Sequence, residues 1–67
     1  MEYEIRDEHI KLGQLLKCAG LVENGAMAKI IIQDGEVKVN GEVCTMRGKK
    51  MYKGDYAEYN GNTVKVV

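Results

Sequence analysis

The sequence predicts an α+β fold in which two short helices pack on a small antiparallel β-sheet. Three observations carry that expectation. Leu12, Leu15, Leu16 and Ala19 recur at i, i+3, i+4 and i+7, the spacing that lines one face of a helix. Residues 28–41, AKIIIQDGEVKVNG, change from a helical composition to a period of two at Glu36. Asn-Gly pairs at Asn40 and Gly41 and again at Asn60 and Gly61 lie between Val-, Tyr- and Thr-containing runs, a strong short-range signal for a hairpin.

Taken in order, residues 3–6 alternate weakly and are expected to form a short edge strand ahead of the polar Asp7, Glu8 and His9. The leucine-faced helix ends at Gly20, because glycine enters the left-handed cap conformation without steric cost. Gln14 and Lys17 fall on its solvent side, and Gly13 inside it costs about 1 kcal/mol relative to alanine unless something packs closely there. The second helix is expected to begin at Asn24 or Gly25, either of which can cap it, and to run through Gln33. Met27, Ala28, Ile30, Ile31 and Ile32 span a broad apolar arc, leaving Lys29 and Gln33 on the remaining strip. Three consecutive isoleucines also suit a strand, but residues 26–28 before them and Asp34 and Gly35 after them favour a helix with a glycine stop. Val37 and Val39 then face one side and Lys38 the other, and Val43 and Thr45 resume on the return strand. Lys53, Gly54 and Asp55 form another turn, after which residues 56–59 and 63–67 flank Asn60, Gly61 and Asn62 as a terminal hairpin.

A chain of 67 residues buries little of its surface and has scant room for a deep cavity, which favours a binding face over an enclosed active site. The hydrophobic share of 45% and charged share of 30% fit a soluble globular domain. No apolar run approaches the ~20 residues of a membrane helix, and the acidic start lacks the features of a secretion signal, so a cytoplasmic location is expected. Cys18 and Cys44 are too few and too far apart to announce a disulfide framework or a zinc site. Each is expected to pack as a small apolar residue, Cys18 in the first helix and Cys44 in a strand. His9, the only histidine, sits beside acids with no nucleophile at a suggestive spacing and is expected at the surface; the carboxylates are scattered, and no glycine-rich phosphate loop or metal-ligand cluster is present. No catalysis, cofactor, metal, small-molecule substrate or membrane partner is expected.

The formal net charge is zero, yet its distribution is uneven. Residues 1–10 hold four acids against one base, a net −3; residues 11–53 hold eight bases against four acids, a net +4; residues 54–67 hold two acids against one base, a net −1. A basic middle between acidic ends suits a phosphate-binding face despite the neutral total. The start of the second helix offers backbone amides and the positive end of a dipole, with Lys29 within its first turns. Arg47, Lys49, Lys50 and Lys53 add cations from the segment after the hairpin, where an ordinary solvated loop is the competing reading. Tyr52 is placed to stack on a base, whereas Tyr3, Tyr56 and Tyr59 are expected in strands as partial core.

These residues resemble the RNA-binding domain shared with ribosomal small-subunit protein four, the S-four domain. The resemblance rests on Leu12, Leu15 and Leu16, then Gly25, Ala28, Lys29 and Ile32, then Gly35, Val37, Val39, Asn40 and Gly41, and finally Lys53, Gly54 and Asp55. It covers residues 10–55, so residues 1–67 are expected to form one free-standing copy of the domain. The opening Leu12, Gly13, Gln14, Leu16, Lys17 and the run Arg47, Gly48, Lys50 are similar to small stand-alone bacterial members. The resemblance implies an alpha-L two-helix motif whose basic face lies against structured ribosomal or transfer RNA, as in the ribosomal protein, certain pseudouridine synthases, tyrosyl-tRNA synthetases and a ribosome-associated heat-shock protein. Together the residues and the resemblance select Lys11, Lys17, Asn24, Gly25, Lys29, Arg47, Lys49, Lys50 and Lys53 as candidate RNA contacts. Two departures from the pattern lower the expected affinity: Asn24 and Gly25 stand where many members have Ser-Arg, and Met46 where the small members often have arginine.

The expected function is non-catalytic binding of structured RNA by backbone and shape. The alternative is a ribosome-associated adaptor that docks a protein through a strand edge or helix face, with RNA contact secondary. A ubiquitin-like sulfur carrier, in which a Val-Asn-Gly-Glu hairpin also occurs, would need a Gly-Gly tail where this sequence ends Val64, Lys65, Val66, Val67.

Overall fold

The leucine- and isoleucine-rich runs become helices, and the Asn-Gly pairs become the turns of a sheet beneath them. The computed structural model describes residues 1–67, in the order β1 (Glu2–Tyr3), β2 (His9–Lys11), α1 (Leu12–Cys18), α2 (Gly25–Gln33), β3 (Val37–Val39), β4 (Glu42–Val43), β5 (Lys50–Tyr52), β6 (Tyr56–Tyr59) and β7 (Asn62–Val66). The class is α+β, as expected. Two sheets are present, a five-stranded one ordered β1-β7-β6-β3-β4 and a separate ribbon of β2 with β5.

The central pairs β3-β4, β3-β6 and β6-β7 are antiparallel, while β1 joins the edge of β7 in parallel, so the sheet is mixed. The β6-β7 hairpin leaves the outer edge of β7 unpaired, and the amino-terminal segment covers it through Lys65 N to Met1 O at 2.9 Å and Val67 N to Tyr3 O at 3.0 Å. Both hairpin turns have positive φ at their two central residues, 51° and 88° at Asn40 and Gly41, 52° and 80° at Asn60 and Gly61. That geometry matches the twist of the flanking strands. The return strand β4 stops at Val43, so Thr45 and Cys44 lie beyond it.

Both helices close alike. Gly20 and Gly35 take φ of 78° and 77°, and the amides after them reach back, Leu21 N to Leu16 O at 2.9 Å and Glu36 N to Ile31 O at 3.1 Å. At the start of α2 Asn24 is the cap, its Oδ1 accepting from Met27 N at 2.8 Å, and Gly25 is the first helical residue.

Leu12, Leu15 and Leu16 of α1 and Ala28, Ile31 and Ile32 of α2 meet Val37, Val39, Ala57, Val64 and Val66 from the inner face of the sheet. Ile10 and Met51 seal the core from the ribbon, and no polar side chain is buried. The apolar arc of α2 is narrower than expected, since Ile30 is 59% exposed. At about 100° per residue it points away from both Ile31 and Ile32. Cys18 is also exposed, because it lies about 60° outside the Leu15 edge of the stripe on α1. Cys44 is half-buried and packs against the core. Tyr3 and Tyr59 pack against it too.

Candidate nucleic-acid interface

Helix α1 begins without a side-chain cap, Lys11 standing at that position. Its first two amides are instead taken by a segment distant in sequence, Leu12 N donating to Lys49 O at 2.8 Å and Gly13 N to Arg47 O at 3.0 Å. Residues 47–49 are thereby tied across the start of the helix. A Cβ at Gly13 would lie 3.6 Å from Arg47 Cβ and 3.9 Å from Ala28 Cβ, ordinary contact distances. Alanine therefore fits, and a longer side chain at Gly13 would enter the space beside it.

That space is an open groove of about 550 Å³ between α1, the start of α2 and the loop holding Arg47 and Gly48. Lys11, Lys17 and Arg47 line it together with Gly25, and no carboxylate does. Asn24 uses its side chain on the Met27 amide and its carbonyl on Ala28 N at 3.1 Å, so the amides of Gly25 and Ala26 remain for an outside acceptor. The helix dipole adds positive potential at the same end.

Lys50 joins this cluster through the ribbon. The register is His9 with Tyr52, Ile10 with Met51 and Lys11 with Lys50. Because Ile10 and Met51 take the inner face, the other four side chains share the outer one. Two lysines therefore stand directly opposite each other, a destabilising arrangement in isolation. Beside them the His9 and Tyr52 rings lie 5.8 Å apart at 52°.

The remaining candidates sit elsewhere. Lys29 is exposed in α2, Lys53 is exposed in the turn after β5, and Lys49 borders a different cleft with Asn40, Val43 and Met46. Lys49 acts on Asp55, whose carboxyl is held below the ordinary carboxylate value chiefly by the Tyr52 amide, then by the Asn40 side chain, with the Lys49 charge a smaller contribution. The geometry agrees: Tyr52 N donates to Asp55 Oδ2 at 2.8 Å, Asn40 Nδ2 donates to Asp55 Oδ1 at 3.1 Å, and Tyr56 N donates to Asn40 Oδ1 at 3.0 Å. The Lys53-Gly54-Asp55 turn is thus tied to the Asn40-Gly41 turn, which fixes the end of β5.

Reading residues 47–53 as a loop missed β5, and reading His9 as part of a polar stretch missed β2. A period of two is present in both, His-Ile-Lys and Lys-Met-Tyr, each with its apolar residue central. Three residues are too few for that signal to stand out.

Comparison with known proteins gives a consistent result. The family model described as S4 domain matches residues 3–67. A Bacillus subtilis (strain 168) protein named as a probable ribosome maturation protein, RlbA, is 46% identical over 57 residues, 85% of this chain and 80% of the relative. YbcJ of Escherichia coli (strain K12) is 44% identical over 59 residues, 88% of this chain and 84% of the relative. The solution structure of E. coli YbcJ, described as revealing an alfaL motif involved in RNA-binding, matches with a TM-score of 0.76 at 39% identity, over 98% of this chain and 85% of that one. No helix of the chain is long and apolar enough to cross a membrane.

Proposed function

The chain belongs to the S4 domain family, and from that premise we propose that it binds structured RNA, ribosomal or transfer RNA, in the cytoplasm and without chemistry of its own. The observation that carries the reading is the groove in which Lys11, Lys17 and Arg47 converge with no carboxylate among the lining residues. Like charges gathered in one place repel, and a phosphate backbone relieves that repulsion. Lys50, opposite Lys11, extends the cationic surface, and the free amides at Gly25 and Ala26 suit a single phosphate oxygen. Lys29 and Lys53 lie at the margins, while Lys49 borders the separate cleft with Val43 and Met46.

The groove is broad and open, with small residues at Gly13, Gly25, Ala28 and Gly48, so it admits a backbone rather than reading base edges. Shape and phosphate recognition of helical RNA follow from such a surface. The name of the B. subtilis relative supports ribosomal RNA as the first target to examine. Neutralising about four to six phosphates would give a logarithmic salt slope on the order of 3 to 5.

The test is a titration of a ribosomal RNA hairpin and a transfer RNA at several salt concentrations, with the wild-type chain and with Lys11→Glu, Arg47→Glu. Salt-sensitive binding that the double change removes is expected. Binding that ignores both salt and the double change overturns the reading. A second reading draws on Val43 and Met46, 58% and 66% exposed beside the outer edge of β4, a surface suited to docking a ribosome-associated protein. It predicts that Val43→Lys, rather than the groove change, abolishes ribosome association.

A further inference from the structure

The outer face of the β2-β5 ribbon carries two rings that the core does not use. Ile10 and Met51 already fill its inner side, and Tyr52 is 49% exposed. Of the other tyrosines, Tyr3 and Tyr59 pack against the core and Tyr56 is half-buried, so Tyr52 alone presents much of its ring to solvent. His9 stands opposite it in register, the ring centroids 5.8 Å apart and inclined by 52°. Lys11 and Lys50 are the next pair along the same face, about 7 Å away at two residues of strand rise. Lys11 also lines the cationic groove, so the aromatic pair and the groove form one continuous surface.

The backbone that carries the Tyr52 ring is also held in place. Its amide is fixed by Asp55 Oδ2 at 2.8 Å, and Asp55 is fixed in turn by Asn40 Nδ2 at 3.1 Å. A ring that is exposed, set beside a second ring and followed along the ribbon by the Lys11–Lys50 pair suits a nucleobase, whose flat face stacks while its phosphate meets the lysines.

We propose that Tyr52, backed by His9, is a stacking platform for one unpaired nucleobase of the RNA whose backbone occupies the groove. This rests on the RNA-binding reading above and sharpens it: the preferred ligand is a helix bearing a bulged or overhanging nucleotide, not an uninterrupted duplex. A base on the platform and a phosphate in the groove are joined through Lys11, which borders both.

The experiment uses two RNA hairpins with the same stem, one fully paired at its end and one with a single overhanging nucleotide, that nucleotide being 2-aminopurine in a parallel preparation. The wild-type chain should bind the overhang RNA about tenfold more tightly and quench the 2-aminopurine emission, as expected for base-on-ring stacking. Tyr52→Leu, which retains apolar bulk without a ring, should lose both effects and bind the two hairpins alike, with the salt slope unchanged. Tyr52→Phe should keep them. Equal affinity of the wild-type chain for the two hairpins, or unquenched 2-aminopurine in its complex, overturns the platform even if a variant fails to fold. Failure of the groove reading looks different: Lys11→Glu, Arg47→Glu would then leave binding to the fully paired hairpin intact.

Discussion

The ribbon and the five-stranded sheet both carry lysines on their outer faces and treat that charge in opposite ways. On the sheet Lys38 stands opposite Glu58 and Lys65 opposite Glu2, so each lysine has a carboxylate across the ladder. On the ribbon Lys11 stands opposite Lys50, and in the adjoining groove Lys17 and Arg47 join Lys11 with no acid between them. The usable charge of this neutral chain is concentrated on the ribbon and its groove. A formal net charge of zero is compatible with a cationic groove when acids elsewhere, such as Glu2 and Glu58 across the ladder of the sheet, balance it.

Lys11→Glu with Arg47→Glu should lower affinity for structured RNA by about 100-fold near 50 mM salt and flatten the salt slope by about two, one for each phosphate that is no longer neutralised. Lys38→Glu with Lys65→Glu changes the net charge equally and should shift affinity by less than about threefold. Fluorescence anisotropy over a salt series reads both. Equal losses would mean that overall charge, not the groove, attracts RNA.

A smaller effect concerns the device that sets the end of the ribbon. Asn40→Gly keeps a residue tolerant of positive φ but deletes the two hydrogen bonds to Asp55 and Tyr56, and should cost about 1–2 kcal/mol in urea unfolding. Asn60→Gly, in the equivalent turn of β6-β7, should change stability by less than about 0.5 kcal/mol, since no side-chain bond ties Asn60 to another element. Similar losses at both turns would show that backbone torsion alone, not the tie to Asp55, makes the first turn matter.

The same tie carries a pH signature. The folded pKa of Asp55 is depressed below 3.8, so its contribution is fully present above that value and is lost as pH falls through the folded pKa. Stability should therefore decline on acidification below about pH 4, and Asp55→Asn should weaken that decline while lowering stability at pH 7. A wild-type and Asp55→Asn pair with parallel pH profiles would remove Asp55 from the account.

Gly13, on the groove wall, tests its shape. Gly13→Ala meets its neighbours at ordinary van der Waals distance and should stabilise α1 by about 0.5–1 kcal/mol, leaving RNA affinity within about twofold. Gly13→Glu should weaken binding, because its side chain places a carboxylate among Lys11, Lys17 and Arg47. An affinity unchanged by Gly13→Glu would place the RNA elsewhere.

Much of the fold was legible in local pattern. The leucine stripe, the capping residue Asn24, the closing glycines Gly20 and Gly35 and both Asn-Gly turns stand where their chemistry requires them. The ribbon was not, because β2 and β5 are three residues each and lie some forty residues apart in sequence, so neither spacing nor composition announces that they pair. Gly13 shows the boundary well. Its cost within a helix was readable, whereas its neighbour, the Arg47 side chain at ordinary contact distance, came from a segment far along the chain. Lys49 and Lys50 mark it again, adjacent in sequence and assigned to different surfaces.

Local pattern in the sequence set the helices, the Asn-Gly turns and the inward faces of Leu12, Leu15, Leu16, Val37 and Val39, because backbone torsion and apolar periodicity act over a few residues. It also determined that bases are concentrated between residues 11 and 53. Only the tertiary structure decided which of those bases share a surface. That depends on strand register and on which carboxylates lie within reach across the ladder, and both are properties of pairing between distant segments rather than of any one of them.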